Sequence, residues 1–291
     1  MEGYYIHVAN KLHSTRLGTS AKAKTFDVKE LKSASFWRAV YAEFLGTLLL
    51  TFVGSASVLF DGNKITISMT FGLAIMALIQ MIGHVSGGHV NPAITVSFVV
   101  AQNISLIRGL LYIVAQCVGS IVGAYILKAV TPEQFQGYLG AAYVNTGFGI
   151  TQFQGAAVEF LLAFTLIMTV HATIDPNKPN MGSHSLAIGL TVGMLHFSGI
   201  SYTGASMNPA WSLGPAVAAN FWKDHWVYWA GPILAGAVAS LLYKWTINPY
   251  RDVPTMDEAV KTLLQDGSFI VVPREYAMPE EKKEVNNFTQ L

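Results

Sequence analysis

The tripeptide Asn-Pro-Ala occurs twice, at Asn91-Pro92-Ala93 and at Asn208-Pro209-Ala210, and each copy opens a short apolar run. Asn is a favoured helix N-cap, and Pro suits the first helical position because it has no N–H to leave unpaired there. Each copy therefore reads as a helix start, which carries a partial positive charge and unpaired N–H groups. Two such ends aimed at one point, with the Asn91 and Asn208 amides beside them, repel a cation and donate hydrogen bonds to a neutral oxygen. One copy alone reads as a plain cap. Two copies at matched positions, each opening a half-length run, read as one site. Enzyme chemistry has no foothold: there is no His-Glu-x-x-His, nucleophile elbow or phosphate-binding glycine loop. With one cysteine, Cys117, an intrachain disulfide is impossible and a cysteine metal cluster is not expected; no cofactor or metal is implied.

The elements that would position this site are membrane helices. Of 291 residues, 52% are hydrophobic and 12% charged, against about 25% charged in soluble domains. The mean hydropathy is +0.41. The net charge of +1 gives no sign of nucleic-acid binding. A crossing helix needs about 20 mostly apolar residues. Six stretches qualify, at 37–60, 65–83, 106–128, 154–173, 184–200 and 226–246. The runs at 91–101 and 208–218 are half as long and cannot cross. No early apolar segment marks a signal peptide. The expected fold class is an all-α membrane protein, with six transmembrane helices and two re-entrant half-helices.

Lys11, Arg16, Lys22, Lys24, Lys29, Lys32 and Arg38 precede or open the first span, and Lys244, Arg251, Lys261, Arg274, Lys282 and Lys283 close or follow the last. Connections on the other side hold only Lys64, Lys128 and Lys223. The positive-inside rule then places both termini in the cytoplasm. The expected domains are an N-terminal segment over 1–35, a channel domain over 36–248 and a cytoplasmic tail over 249–291.

"AEFLGTLLLTFVGSAS" (42–57) resembles "VEFLLAFTLIMTVHAT" (158–173), which aligns Glu43 with Glu159. The Glu pair is offset by 116 positions and the Asn-Pro-Ala pair by 117. Each copy, about 36–128 and 154–248, holds three spans and one half-span, so the second must enter from the opposite face. That is an inverted repeat. Its two half-helices meet N-terminus to N-terminus near the midplane, where irregular backbone is tolerated only inside protein or beside a wet cavity. Glu43 and Glu159 lie inside spans one and four, where acids are expensive and usually functional. Each suits a proton relay, or a brace that accepts hydrogen bonds from re-entrant backbone.

"SGGHVNPAITV" and "YTGASMNPAWSLGPA", supported by "AEFLGT" and "HWVYWAGP", resemble the major intrinsic proteins, specifically water-selective aquaporins of insect type, over about residues 36–248. The resemblance implies a pore in each subunit, a homotetramer in the plasma membrane, and braces at Glu43 and Glu159. It places the outer selectivity filter at Phe71, His196, Ala205 and Trp211. His196, Ser212, Ala216, Tyr228 and Trp229 match the water branch rather than the glycerol branch. Ala205 stands where a mercury-reactive Cys is often found. His84 and Ser86, beside the first re-entrant loop, suit either a gate or loop packing, and packing is favoured.

Trp211 breaks the pattern, because the family nearly always has Arg there. Arg brings a permanent charge and a planar fork of donors, whereas Trp brings one N–H and a large ring. The cation barrier is lost while the passage is filled. The order of expectation is occluded or reduced flow, then near-normal flow, then a leaky pore. A Trp211 turned into the lipid-interface belt is disfavoured, since a re-entrant first turn is surrounded by protein. The leading functional reading is a passive water channel. A closed-pore structural or junctional membrane protein is the first alternative, and a coupled small-solute transporter is the less favoured one. Asn103-Ile-Ser and Asn287-Phe-Thr match the glycosylation pattern, but both are expected on the cytoplasmic side. The terminal "FTQL", with Thr289 and Leu291, matches a PDZ-type ligand, though a disordered tail is the stronger expectation.

Overall fold

The computed structural model describes residues 25–60, 62–175 and 182–247. The basic residues before position 25, the tail after 247, Asn287 and the "FTQL" terminus lie outside the described residues. Six long helices carry the apolar sequence: α1 (Ala34–Ala56), α2 (Lys64–Ser86), α4 (Leu106–Val130), α5 (Gln152–Ile174), α6 (His184–Thr203) and α8 (Val227–Leu242). A π-helical turn over Tyr243–Ile247 lengthens α8, and all six elements are long and apolar enough to cross a membrane. Two short helices, α3 (Pro92–Val100) and α7 (Pro209–Ala219), follow the two Asn residues. At about 1.5 Å per residue neither spans a 30 Å hydrocarbon core.

Local chemistry sets the helix starts. Asn63, Ser105 and Ser183 accept backbone N–H groups of their own first turns, and Thr151 forms a capping box with Gln154. The long helices are apolar around their whole circumference. Leu73, Leu110, Val114, Leu161 and Leu190 are exposed on the outside, where a soluble protein would place charge.

Lipid tails give no hydrophobic drive for helices to associate, so close backbone packing must replace it. Small residues supply that approach. α2 crosses α6 where Gly72 and Gly189 face each other, and a Cβ on Gly189 would sit 2.6 Å from the Gly72 carbonyl oxygen. The half-helices are seated in the same way. A Cβ on Gly236 of α8 would come 2.5 Å from the Ala93 carbonyl, and one on Gly214 of α7 would strike the Ser120 backbone of α4. Each half-helix thus leans on the last long helix of the opposite repeat.

Gly189→Leu should lower the thermal unfolding midpoint in detergent, since overpacking a tight crossing costs about 1–3 kcal/mol. Leu190→Val, one residue away on the exposed face, should leave the midpoint nearly unchanged. Equal shifts for the two variants would show that the crossing is not tight.

Candidate functional site: the meeting point of the half-helices

Both half-helices begin at an Asn in extended conformation, with Pro at the first helical position. Asn91 Oδ1 accepts the Ala93 N–H at 2.8 Å; Asn208 Oδ1 accepts Ala210 at 3.1 Å and Trp211 at 3.3 Å. Each side chain also reaches the opposite repeat. Asn91 Nδ2 donates to the Met207 carbonyl and Asn208 Nδ2 to the Val90 carbonyl, both at 2.9 Å. An amide nitrogen has two hydrogens, so one on each Asn remains after this exchange.

Val90 and Met207, which precede the two Asn residues, have left-handed backbone at φ 44° and 55°. For a β-branched residue such as Val90 that is uncommon and costs energy. The surrounding hydrogen bonds hold it there. Glu43 Oε1 accepts the His89 N–H at 2.9 Å and the Ser86 hydroxyl at 2.6 Å, and Oε2 accepts the Val90 N–H at 2.6 Å. Glu159 Oε1 accepts the Ser206 N–H at 2.9 Å and the Thr203 hydroxyl at 2.6 Å, and Oε2 accepts the Met207 N–H at 2.6 Å. Both carboxylates are fully buried. Gln116 breaks the symmetry by donating to both Glu43 Oε2 at 2.8 Å and Thr95 Oγ1 at 2.9 Å.

A cavity of about 570 Å³ opens between His84 and His184 and runs inward to Asn91, Asn208 and Val192. Its lining stops there, one helical turn short of His196, and includes neither Glu43 nor Glu159. Beyond it stand three rings. Phe71 stacks on His196 with centroids 4.4 Å apart and planes 17° apart, and meets Trp211 edge-on at 5.0 Å and 87°. Phe71, His196, Ala205 and Trp211 are all at most 3% exposed. Trp211 therefore lies inside the protein, and the interfacial-belt alternative does not apply.

His196 Nδ1 lies 2.9 Å from the Val192 carbonyl, which can only accept, so Nδ1 carries the hydrogen and Nε2 of the neutral ring is an acceptor. Trp211 Nε1 is a donor. Among the described residues neither His196 Nε2 nor Trp211 Nε1 has a hydrogen-bond partner, although both are buried. Leaving such groups unpaired costs about 1–3 kcal/mol each, which makes the pair receptive to a small polar molecule.

A family model described as "Major intrinsic protein" matches residues 30–243. The chain belongs to the major intrinsic protein family. Aquaporin-4 of Mus musculus is 42% identical over 230 residues, covering 76% of this chain and 71% of that protein. The lens fiber major intrinsic protein of Rattus norvegicus is 41% identical over 225 residues, covering 76% and 85%. The fold is also that of the crystallised aquaglyceroporin from Plasmodium falciparum, at a TM-score of 0.67, 21% identity, and 73% and 97% coverage. This major intrinsic protein is accordingly a multi-pass membrane channel and not an enzyme.

The sequence reading singled out Ser86 for loop packing and Tyr228 only as a match to the water branch, and it passed over their repeat partners Thr203 and Tyr112. Ser86 and Thr203, 117 apart, turn their hydroxyls onto Gly88 and Ala205 N–H as well as onto the carboxylates. Tyr112 and Tyr228, 116 apart, donate to the carbonyls of Ser86 and Thr203. The repeat offset of 116 to 117, read from the Glu and Asn-Pro-Ala pairs, would have found both pairs.

Glu159→Gln puts an NH₂ against donors that need an acceptor. We expect it to lower stability by about 1–3 kcal/mol. Hydrogen–deuterium exchange at Ser206 and Met207 should speed up before exchange in the long helices does. Unchanged protection there would mean that the carboxylate does not hold the loop.

Proposed function

We propose that this protein is a passive water channel of the plasma membrane, with both termini cytoplasmic and one pore in each subunit of a homotetramer. Water enters through the 570 Å³ cavity and reaches Asn91 and Asn208. Their remaining amide hydrogens turn its oxygen toward the half-helix N-termini, where the positive helix ends discourage cations. Beyond, Phe71, His196, Ala205 and Trp211 form the outer filter. There the molecule must accept from Trp211 Nε1–H and donate to His196 Nε2, a combination that suits water and fits poorly to a longer polyol. Glu43 and Glu159 act as braces: their oxygens are taken up by loop donors and neither lines the cavity, which disfavours a proton relay. A PDZ-type partner at Thr289–Leu291 is a lesser part of this reading.

The observation that carries the reading is the three-ring contact at the outer filter. The Phe71–His196 stack at 4.4 Å leaves no room for a water between those two rings, and the Trp211 ring set edge-on against Phe71 at 5.0 Å crowds the same point, so flow is reduced or occluded there. The same contact favours, as a second reading, a closed-pore structural role in the membrane.

Stopped-flow shrinkage of proteoliposomes separates the two. Trp211→Arg should raise osmotic water permeability by roughly tenfold, the effect of about 1.4 kcal/mol off the barrier. Glycerol uptake should stay low, and neither flow should respond to a proton gradient. Equal rates for the two proteins would sink the occlusion; no water flow in the Arg form would favour the structural role.

A further inference from the structure

Each half-helix ends on a lysine from the opposite repeat. Lys128 Nζ, near the end of α4, donates to the Ala218 carbonyl in the last turn of α7 at 2.8 Å. Lys244 Nζ, just past α8, donates to the Ala101 carbonyl that closes α3 at 3.1 Å. The lysines are 116 residues apart and their acceptors 117, which is the register of the repeat. Both side chains are half-buried. The last carbonyls of a helix have no partner within it and carry its partial negative charge. An ammonium there satisfies one carbonyl and cancels that charge.

We infer that Lys128 and Lys244 are selectivity-determining residues that set the cation barrier of the pore from the far ends of its two half-helices. This rests on the channel reading above. A helix dipole acts on its N-terminal end as a positive pole partly offset by a distant negative one. Neutralising the negative pole raises the potential where the two N-termini meet, at Asn91 and Asn208. The half-helices have 9 and 11 residues, so each lysine is roughly 14–16 Å from that point. At an effective dielectric of about 20, a unit charge at that distance changes cation occupancy about sixfold, and less where water screens it. The inference matters in this chain because position 211 holds a neutral indole. With no cation at the outer filter, exclusion falls on the half-helices, and both carry a lysine at the far pole.

The test uses the full chain in proteoliposomes carrying Trp211→Ala, which removes the ring without adding charge. Osmotic water flow is followed by light scattering, and K⁺ and proton leak by entrapped dyes. Adding Lys128→Met and Lys244→Met should leave water permeability within about twofold while cation leak rises about threefold to tenfold. Lys128→Arg with Lys244→Arg should restore the low leak, which a merely spatial role for the lysines would not require. Unchanged leak in a water-permeable Met form overturns the inference and leaves the channel reading intact. No water flow in Trp211→Ala itself overturns both.

Discussion

Two helix N-termini facing each other inside a membrane set the terms for everything else in this protein. A bilayer offers no water to an unpaired N–H or carbonyl, so the turn that delivers each half-helix must be satisfied by the protein. The solution is an exchange across the pseudo-two-fold axis. Asn91 and Asn208 each cap their own helix with Oδ1 and close the opposite turn with Nδ2. Neither turn can be completed alone. The carbonyls they need are presented by Val90 and Met207 in a strained conformation, and the loop N–H groups are taken by Glu43 and Glu159. A carboxylate buried inside the membrane protein is thus balanced by several donors at once, and the cost of burying it falls accordingly.

Seating the half-helices needs close approach as much as polar exchange. Gly214 and Gly236 let them lie against α4 and α8, and Gly72 and Gly189 bring α2 and α6 together. Because α2 carries Phe71 and α6 carries His196, that crossing also decides how near the two rings come. Packing far from the polar centre and the spacing of the Phe71 and His196 rings are therefore one problem. Trp211 adds to it from the first turn of α7, so a bulky residue beside a capping Asn meets a ring delivered by another helix.

Much of this is legible in the chain alone. The composition, six apolar stretches, two half-length runs and a repeat offset of 116 to 117 residues determine an inverted all-α membrane fold, because span length, helix capping and repeat parity are properties of sequence. The Asn-Pro-Ala pair and the buried acids stand out for the same reason: such residues are too costly inside lipid to be incidental. The choice between a relay and a brace, however, depends on which atoms the carboxylates reach.

Tertiary structure alone decided the rest. Sequence spacing cannot say that Asn91 bonds the residue before Asn208, that Lys128 and Lys244 cross to the opposite half-helix, or that Gln116 serves Glu43 with no equivalent for Glu159. These contacts join positions many residues apart, and a shift of about an ångström would dissolve them. The orientation of Trp211 belongs here too. The sequence determined that an indole stands where the resemblance expects a cation. Only the packing of α2, α6 and α7 decided that it turns inward against Phe71, because that face is the one the three helices leave for it.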